Sequence, residues 1–135
     1  MGRTRQDITD AELAILQVLW DQGPATIRQL TDTLYSPGHA AHYATVQKLL
    51  ERLEAKKCVT RDRRAAVHVF AAAISREDLI GRRLRAMAEK LCGGSLTPLL
   101  THLVRTTPLT HRERQELRDL ITELDRQRRS KGAQP

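Results

Sequence analysis

Residues 43–70 read YATVQKLLERLEAKKCVTRDRRAAVHVF, and the hydrophobic period changes halfway through. Val46, Leu49, Leu50 and Leu53 stand at i, i+3, i+4 and i+7, a single narrow apolar stripe of a helix. Turning the wheel by about 100° per residue sends Ala44, Gln47, Lys48 and Glu51 to the opposite side, with Thr45 and Arg52 at its flank. After Lys56-Lys57 come two β-prone stretches, Val59–Arg61 and Val67–Phe70, around the charged centre Asp62-Arg63-Arg64. They predict a β-hairpin with a basic tip. A short helix with one core face and one polar, basic face suits insertion into a groove of DNA.

Two helices precede this stretch. Thr9 with Glu12 forms a capping box, flanked by Ile8 and Leu13 as a hydrophobic staple. Leu13, Leu16 and Trp20 then run at helical spacing to the stop at Gly23-Pro24. Thr26 with Gln29 opens a second helix, with Ile27, Leu30 and Leu34 on its apolar side and Ser36-Pro37-Gly38 as its end. Three short helices followed by a basic hairpin is the order of a winged helix-turn-helix, whose second motif helix enters the major groove.

The rest is helical. Ser75 starts a helix with Ile80, Leu84, Met87 and Leu91 on one face, stopped by Gly93-Gly94. Leu96, Leu99, Leu100, Leu103 and Val104 give a shorter helix before Pro108. Thr110 and Glu113 cap another, striped by Leu117, Leu120, Ile121 and Leu124. These three helices carry too few large residues for a core of their own, and a second copy of the chain would supply the missing cover. The expected fold is mainly α: a winged helix-turn-helix over residues 1–73, a helical dimerisation domain over 74–127, and a disordered basic tail over 128–135.

Composition narrows the function. The 135 residues carry 23 Lys+Arg against 16 Asp+Glu, a formal charge of +7 that points to a phosphate-rich partner. The charge is segregated: residues 1–40 hold three basic and five acidic residues, and residues 41–71 hold seven and three. One Trp, two Tyr and one Phe are too few for reading single strands by base stacking. No apolar run approaches the roughly 20 residues of a membrane span, and MGRTRQDITD has no apolar stretch that would make a signal peptide. Membrane insertion is not expected. Two cysteines, Cys58 and Cys92, fit a reducing cytoplasm, with Cys58 a small core residue rather than a redox sensor. His39, His42, His68, His102 and His111 show no metal-ligand spacing. No nucleophile–base–orienter set and no glycine-rich phosphate loop appears. No metal, no cofactor and no catalysis are expected.

The candidate DNA contacts follow from position. Tyr43 and Thr45, near the start of the third helix, suit backbone or thymine-methyl contacts, with Ala44 between them on the outward side. Gln47 pairs well with adenine and Lys48 with guanine, while Arg52 reaches a phosphate. Arg61, Arg63 and Arg64 would let the hairpin grip the flanking backbone. A competing reading is a winged helix used as a protein-interaction module without specific DNA binding, but such a face should expose more apolar area.

TDAELAILQVLW, GPATIRQL and YATVQKLLERLEAKKCVTR resemble the penicillinase and methicillin-resistance repressor family (BlaI/MecI type). His68-Val69-Phe70, Ser75-Arg76-Glu77 and Gly93-Gly94-Ser95 extend the resemblance to roughly residues 8–125. It implies a homodimeric repressor on a dyad operator, often controlling a β-lactamase and a membrane sensor. In the best-known members a membrane sensor-protease system triggers cleavage in the dimerisation segment, at a place that falls near His102-Leu103 here. This chain departs from the family at three places. Lys57 stands where relatives usually have Gly to close the third helix, and a left-handed Lys costs about 1 kcal/mol against Gly. Ala65-Ala66 replaces a common Gly-Arg pair at the wing tip, removing one expected phosphate contact. The family's copper-responsive branch has a cysteine cluster near its C-terminus, where this chain has Cys92 alone.

Overall fold

Capping side chains set where the helices begin in the computed structural model, which describes residues 7–35 and 40–132. Thr9 Oγ1 accepts from the Glu12 amide, and the Glu12 carboxylate accepts from the Thr9 amide, opening α1 (Asp10–Gln22). Thr26 and Gln29 repeat the reciprocal pair at α2 (Ile27–Leu34). Each such cap contributes about 1 kcal/mol. α1 stops at Gly23, whose φ of 88° is left-handed. The expected stop of α2 at Ser36-Pro37-Gly38 lies outside the described residues, as do residues 1–6 and 133–135.

The next helix, α3 (Ala40–Ala55), buries the stripe that its spacing predicts: Val46, Leu49, Leu50 and Leu53 are all core residues. Its C-terminus closes through Lys57, which adopts φ 64°. The Cys58 amide donates to the Leu53 carbonyl and the Lys57 amide to the Glu54 carbonyl, the paired bonds of a Schellman motif. The left-handed residue expected at this position is therefore present, carried by lysine.

The hairpin joins β1 (Val59–Asp62) to β2 (Val69–Ala72) in antiparallel register, Val59 opposite Ala72 and Asp62 opposite Val69. The second strand begins at Val69, two residues beyond its expected start, and Val67 is exposed in the connecting loop. The period-2 pattern starting at Val67 is genuine, but only Phe70 of that stretch is fully buried. Phe70 also exchanges both backbone hydrogen bonds with Ala25, at 2.9 and 2.8 Å, so the turn after α1 adds a one-residue third strand to the hairpin. The core of this unit lies between the three helices and the hairpin, around Ile15, Leu16, Leu30, Leu50, Leu53 and Phe70.

Three further helices follow: α4 (Arg76–Cys92), α5 (Thr97–Thr106) and α6 (His111–Gly132). The chain divides into compact units at Arg83/Leu84, ten residues beyond the expected limit at Ala73. The start of α4 belongs to the first unit because Ile74 and Leu79 enter its core, and the Arg83 guanidinium donates to the Ile8 carbonyl. The Trp20 indole N–H likewise holds the Ile74 carbonyl at 2.8 Å. In the stretch expected as a tail, the described residues 128–132 continue α6, which is helical through Gly132. Arg129 and Lys131 in its last turn favour that extension by facing the negative end of the helix dipole.

Candidate nucleic-acid interface

The outward side of α3 is a polar surface on a helix locked from behind. Tyr43, Ala44, Thr45, Gln47, Lys48 and Arg52 are exposed, as is Glu51. Among the described residues neither Lys48 nor Arg52 is engaged in an ion pair, so both cations are available to an anionic partner. Thr45 is exposed and donates its hydroxyl proton to the Ala41 carbonyl. The Tyr35 ring stacks on His42 with centroids 4.3 Å apart, tying the end of α2 to the first turn of α3.

The hairpin arginines differ from one another. Arg61, expected at the outer surface, is drawn inward. Its guanidinium lies 4.8 Å over the Phe70 ring, donates to Glu54 at 3.0 Å, and leaves the side chain 18% exposed. Arg64 is exposed but held by Asp62 through Nε and Nη2, at 3.0 and 2.8 Å. Those hydrogen bonds from the Arg64 side chain and amide pull the Asp62 carboxyl down to about 2. Arg63 is the least restrained of the three, 65% exposed and 3.9 Å from Glu54. Helical and strand periodicity reveals none of these pairings, because Glu54 and Asp62 meet their partners across the helix–hairpin corner or within the hairpin loop.

Sequence reasoning also passed over a pair behind the interface. Glu12, fully buried, receives the Lys56 ammonium at 2.6 and 2.9 Å, and the same ammonium donates to the Asp7 carbonyl. Its only sequence signal was the capping box, which accounts for Glu12 without naming Lys56. Lys56 therefore anchors the end of α3 to α1 rather than serving a ligand. Cys58 is buried as expected, and burial pushes its thiol up despite the nearby Arg82 and Lys56.

The second unit presents a different surface. Met87, Leu91, Leu100, Leu103, Leu117, Leu120, Ile121 and Leu124 are exposed apolar side chains on α4, α5 and α6, with Val104 beside them. Leu84 and Leu99 are half-buried and, with Met87, His102 and Leu103, line an open apolar hollow of about 200 Å³. Ile80 is also exposed, on the part of α4 that belongs to the first unit. The pair implied as a cleavage region, His102 and Leu103, is exposed but lies inside α5. No helix among the described residues is long and apolar enough to cross a membrane, and no three or more of their His, Cys, Asp and Glu side chains cluster as a metal site would require.

With that geometry in place, similarity to known proteins is informative. The penicillinase repressor family model matches residues 8–123, nearly the whole chain. The chain belongs to that family. It is a transcriptional repressor, a DNA-binding regulator and not an enzyme. The transcriptional regulator BlaI of Mycobacterium tuberculosis is 31% identical over 118 residues, which cover 86% of this chain and 83% of that protein. A 16.5 kDa protein encoded beside ptsI in Latilactobacillus sakei, described as uncharacterized, is 23% identical over 122 residues, covering 90% of this chain and 83% of its own length. The matched span takes in the winged helix and most of α4 to α6, so the resemblance carried by the motifs extends to both units.

Proposed function

We propose that this repressor acts as a homodimer on a dyad operator in double-stranded DNA. α3 lies in the major groove, where Gln47 and Lys48 meet base edges and Tyr43, Ala44 and Thr45 meet backbone or thymine methyls. Arg52 contacts a phosphate, and Arg63 and Arg64 do so when a phosphate displaces Glu54 and Asp62 from them. The observation that carries this reading is the outward face of α3, where among the described residues Lys48 and Arg52 have no ion-pair partner and Tyr43 is the one large apolar side chain. A protein-docking face would need a broader apolar area, which disfavours the interaction-module alternative.

The exposed leucines and isoleucines of α4, α5 and α6 support the dimer, because a water-facing apolar stripe on three successive helices gains most from a second copy. Two half-sites about one helical turn apart, or a multiple of it, then bind as one body. Their linkage raises effective concentration, so whatever weakens the dimer also weakens repression. The regulated genes are of the β-lactamase and sensor-protease kind or another stress-response operon, and repression takes place in the cytoplasm. Release by a membrane sensor-protease system would require α5 to open around His102-Leu103, because a protease needs extended backbone and the helix withholds it.

Gel-shift titration at low salt with the full chain tests the reading, together with sedimentation at micromolar concentration. The expected result is a dimer that binds duplex DNA with a steep salt dependence, lost on combining Lys48→Glu with Arg63→Glu. A monomer that ignores duplex DNA at low salt overturns it. Genome-wide footprinting of the bound DNA then identifies the operator and the neighbouring genes.

A further inference from the structure

The three hairpin arginines are covered by two carboxylates, and one of these stands on the recognition helix itself. Glu54 is seven residues along α3 from Gln47, hence on the same flank, and its side chain is about a third exposed. One of its oxygens holds Arg61 at 3.0 Å and the other faces Arg63 at 3.9 Å. A negative charge there repels a polyanion that approaches within about 8 Å, the distance beyond which physiological salt screens it. Tethering the hairpin does not require that charge. Arg61 already stacks on the buried Phe70, and a neutral amide oxygen would still accept its N–H.

We infer that Glu54 is a specificity-determining residue of the duplex interface, whose charge holds Arg63 back from phosphates. The inference rests on the duplex-binding reading above. Sequence-independent affinity comes almost entirely from phosphate contacts, whereas discrimination comes from base edges. By withholding an arginine that every sequence would satisfy equally, Glu54 lowers binding to random DNA and leaves selection to Gln47 and Lys48. Arg63, exposed and at the longer distance, is the arginine that its removal would release. Arg61 stays on Phe70 in either case.

The experiment measures binding of the full-length chain to a random-sequence duplex across a salt series. Glu54→Gln keeps the acceptor and removes the charge, while Glu54→Asp keeps the charge. The expected result is tighter binding by Glu54→Gln at low salt. The ratio of its affinities at about 50 and about 200 mM salt should exceed the parent's by roughly threefold, the increment of one further phosphate contact. Glu54→Asp should behave like the parent, and adding Arg63→Gln to Glu54→Gln should abolish the gain. Unchanged or weaker binding by a folded Glu54→Gln chain, or a gain that survives Arg63→Gln, overturns the role assigned to Glu54. Lys48→Glu serves as the control. If it weakens binding while Glu54→Gln changes nothing, the duplex interface stands and the inference about Glu54 fails. If Lys48→Glu has no effect, the interface reading fails and this inference falls with it.

Discussion

Glu12 and Lys56 are 44 residues apart in the chain and 2.6 Å apart in the fold, joining the first turn of α1 to the end of α3. The carboxylate is fully buried, and the lysine side chain is 16% exposed. Burial alone would raise the Glu12 carboxyl. The Lys56 ammonium and the Thr9 hydrogen bonds outweigh it and hold the carboxyl below its ordinary value of 4.5. The end of α3 is thus tied to α1 by an ion pair whose carboxylate is out of solvent.

Removing only the cation should be expensive. Lys56→Met leaves Glu12 buried without its partner and is expected to destabilise the first unit by about 3 kcal/mol, the usual cost of breaking a buried pair from one side. Urea unfolding followed by Trp20 fluorescence measures it. A loss below about 0.5 kcal/mol, the scale of an ordinary surface substitution, would mean that water reaches the carboxylate.

The same pair predicts the acid limb. Because the Glu12 carboxyl is lowered in the folded chain, its contribution is fully present above the unfolded value near 4.5 and is lost as pH falls through the folded value. Stability should therefore drop below about pH 4.5, and Glu12→Gln should flatten that drop while lowering stability at neutral pH. Thermal melts of both chains between acid and neutral pH check the sign.

Lys57 holds a backbone conformation that glycine adopts without strain, with φ at 64°. Lys57→Gly is expected to stabilise the chain by about 1 kcal/mol, because relief of the left-handed penalty exceeds the added unfolded-state entropy. The midpoint of denaturant unfolding reports it. A decrease would show that the lysine side chain makes a contribution larger than the strain.

Trp20 secures the segment leading into α4 through its indole N–H on the Ile74 carbonyl, 2.8 Å away, and through the Arg76 guanidinium 5.2 Å from its ring. Trp20→Phe keeps most of the apolar area but orphans that carbonyl. It should cost about 1–2 kcal/mol, read by calorimetric melting.

Self-association should depend on the exposed apolar residues of α6. Leu120→Asp, which replaces an exposed leucine by a charge, is expected to weaken dimerisation at least about thirtyfold, corresponding to the loss of about 2 kcal/mol typical of an interface anchor. Operator binding should weaken with it, whereas the melting of the first unit should not change. Sedimentation equilibrium and duplex titration on the same sample separate these effects.

The elements were legible from the chain because their causes are local. A Thr three residues ahead of Glu or Gln closes a capping box within one turn, and Val46, Leu49, Leu50 and Leu53 share a face by helical arithmetic alone. The outward placement of Gln47, Lys48 and Arg52 follows from the same wheel. The end of the hairpin strand and the extent of α6 were less legible. Strand limits depend on pairing with β1 and Ala25, and a basic helix end gains from a dipole that composition does not display.

Local periodicity, capping chemistry and segregated charge were thus enough to specify a winged helix with a polar, basic outward face on α3 and an apolar-striped helical segment, since each acts over a turn or two of chain. Which cations remain free was settled only by folding. Arg61 is sequestered by Glu54 and Phe70, Arg64 by Asp62 and Lys56 by Glu12, while Lys48 and Arg52 stay outside those pairs. A charge is neutralised by whatever lies within a few ångströms, and for Lys56 that neighbour comes from an element 44 residues away, a proximity that only the packed helices create.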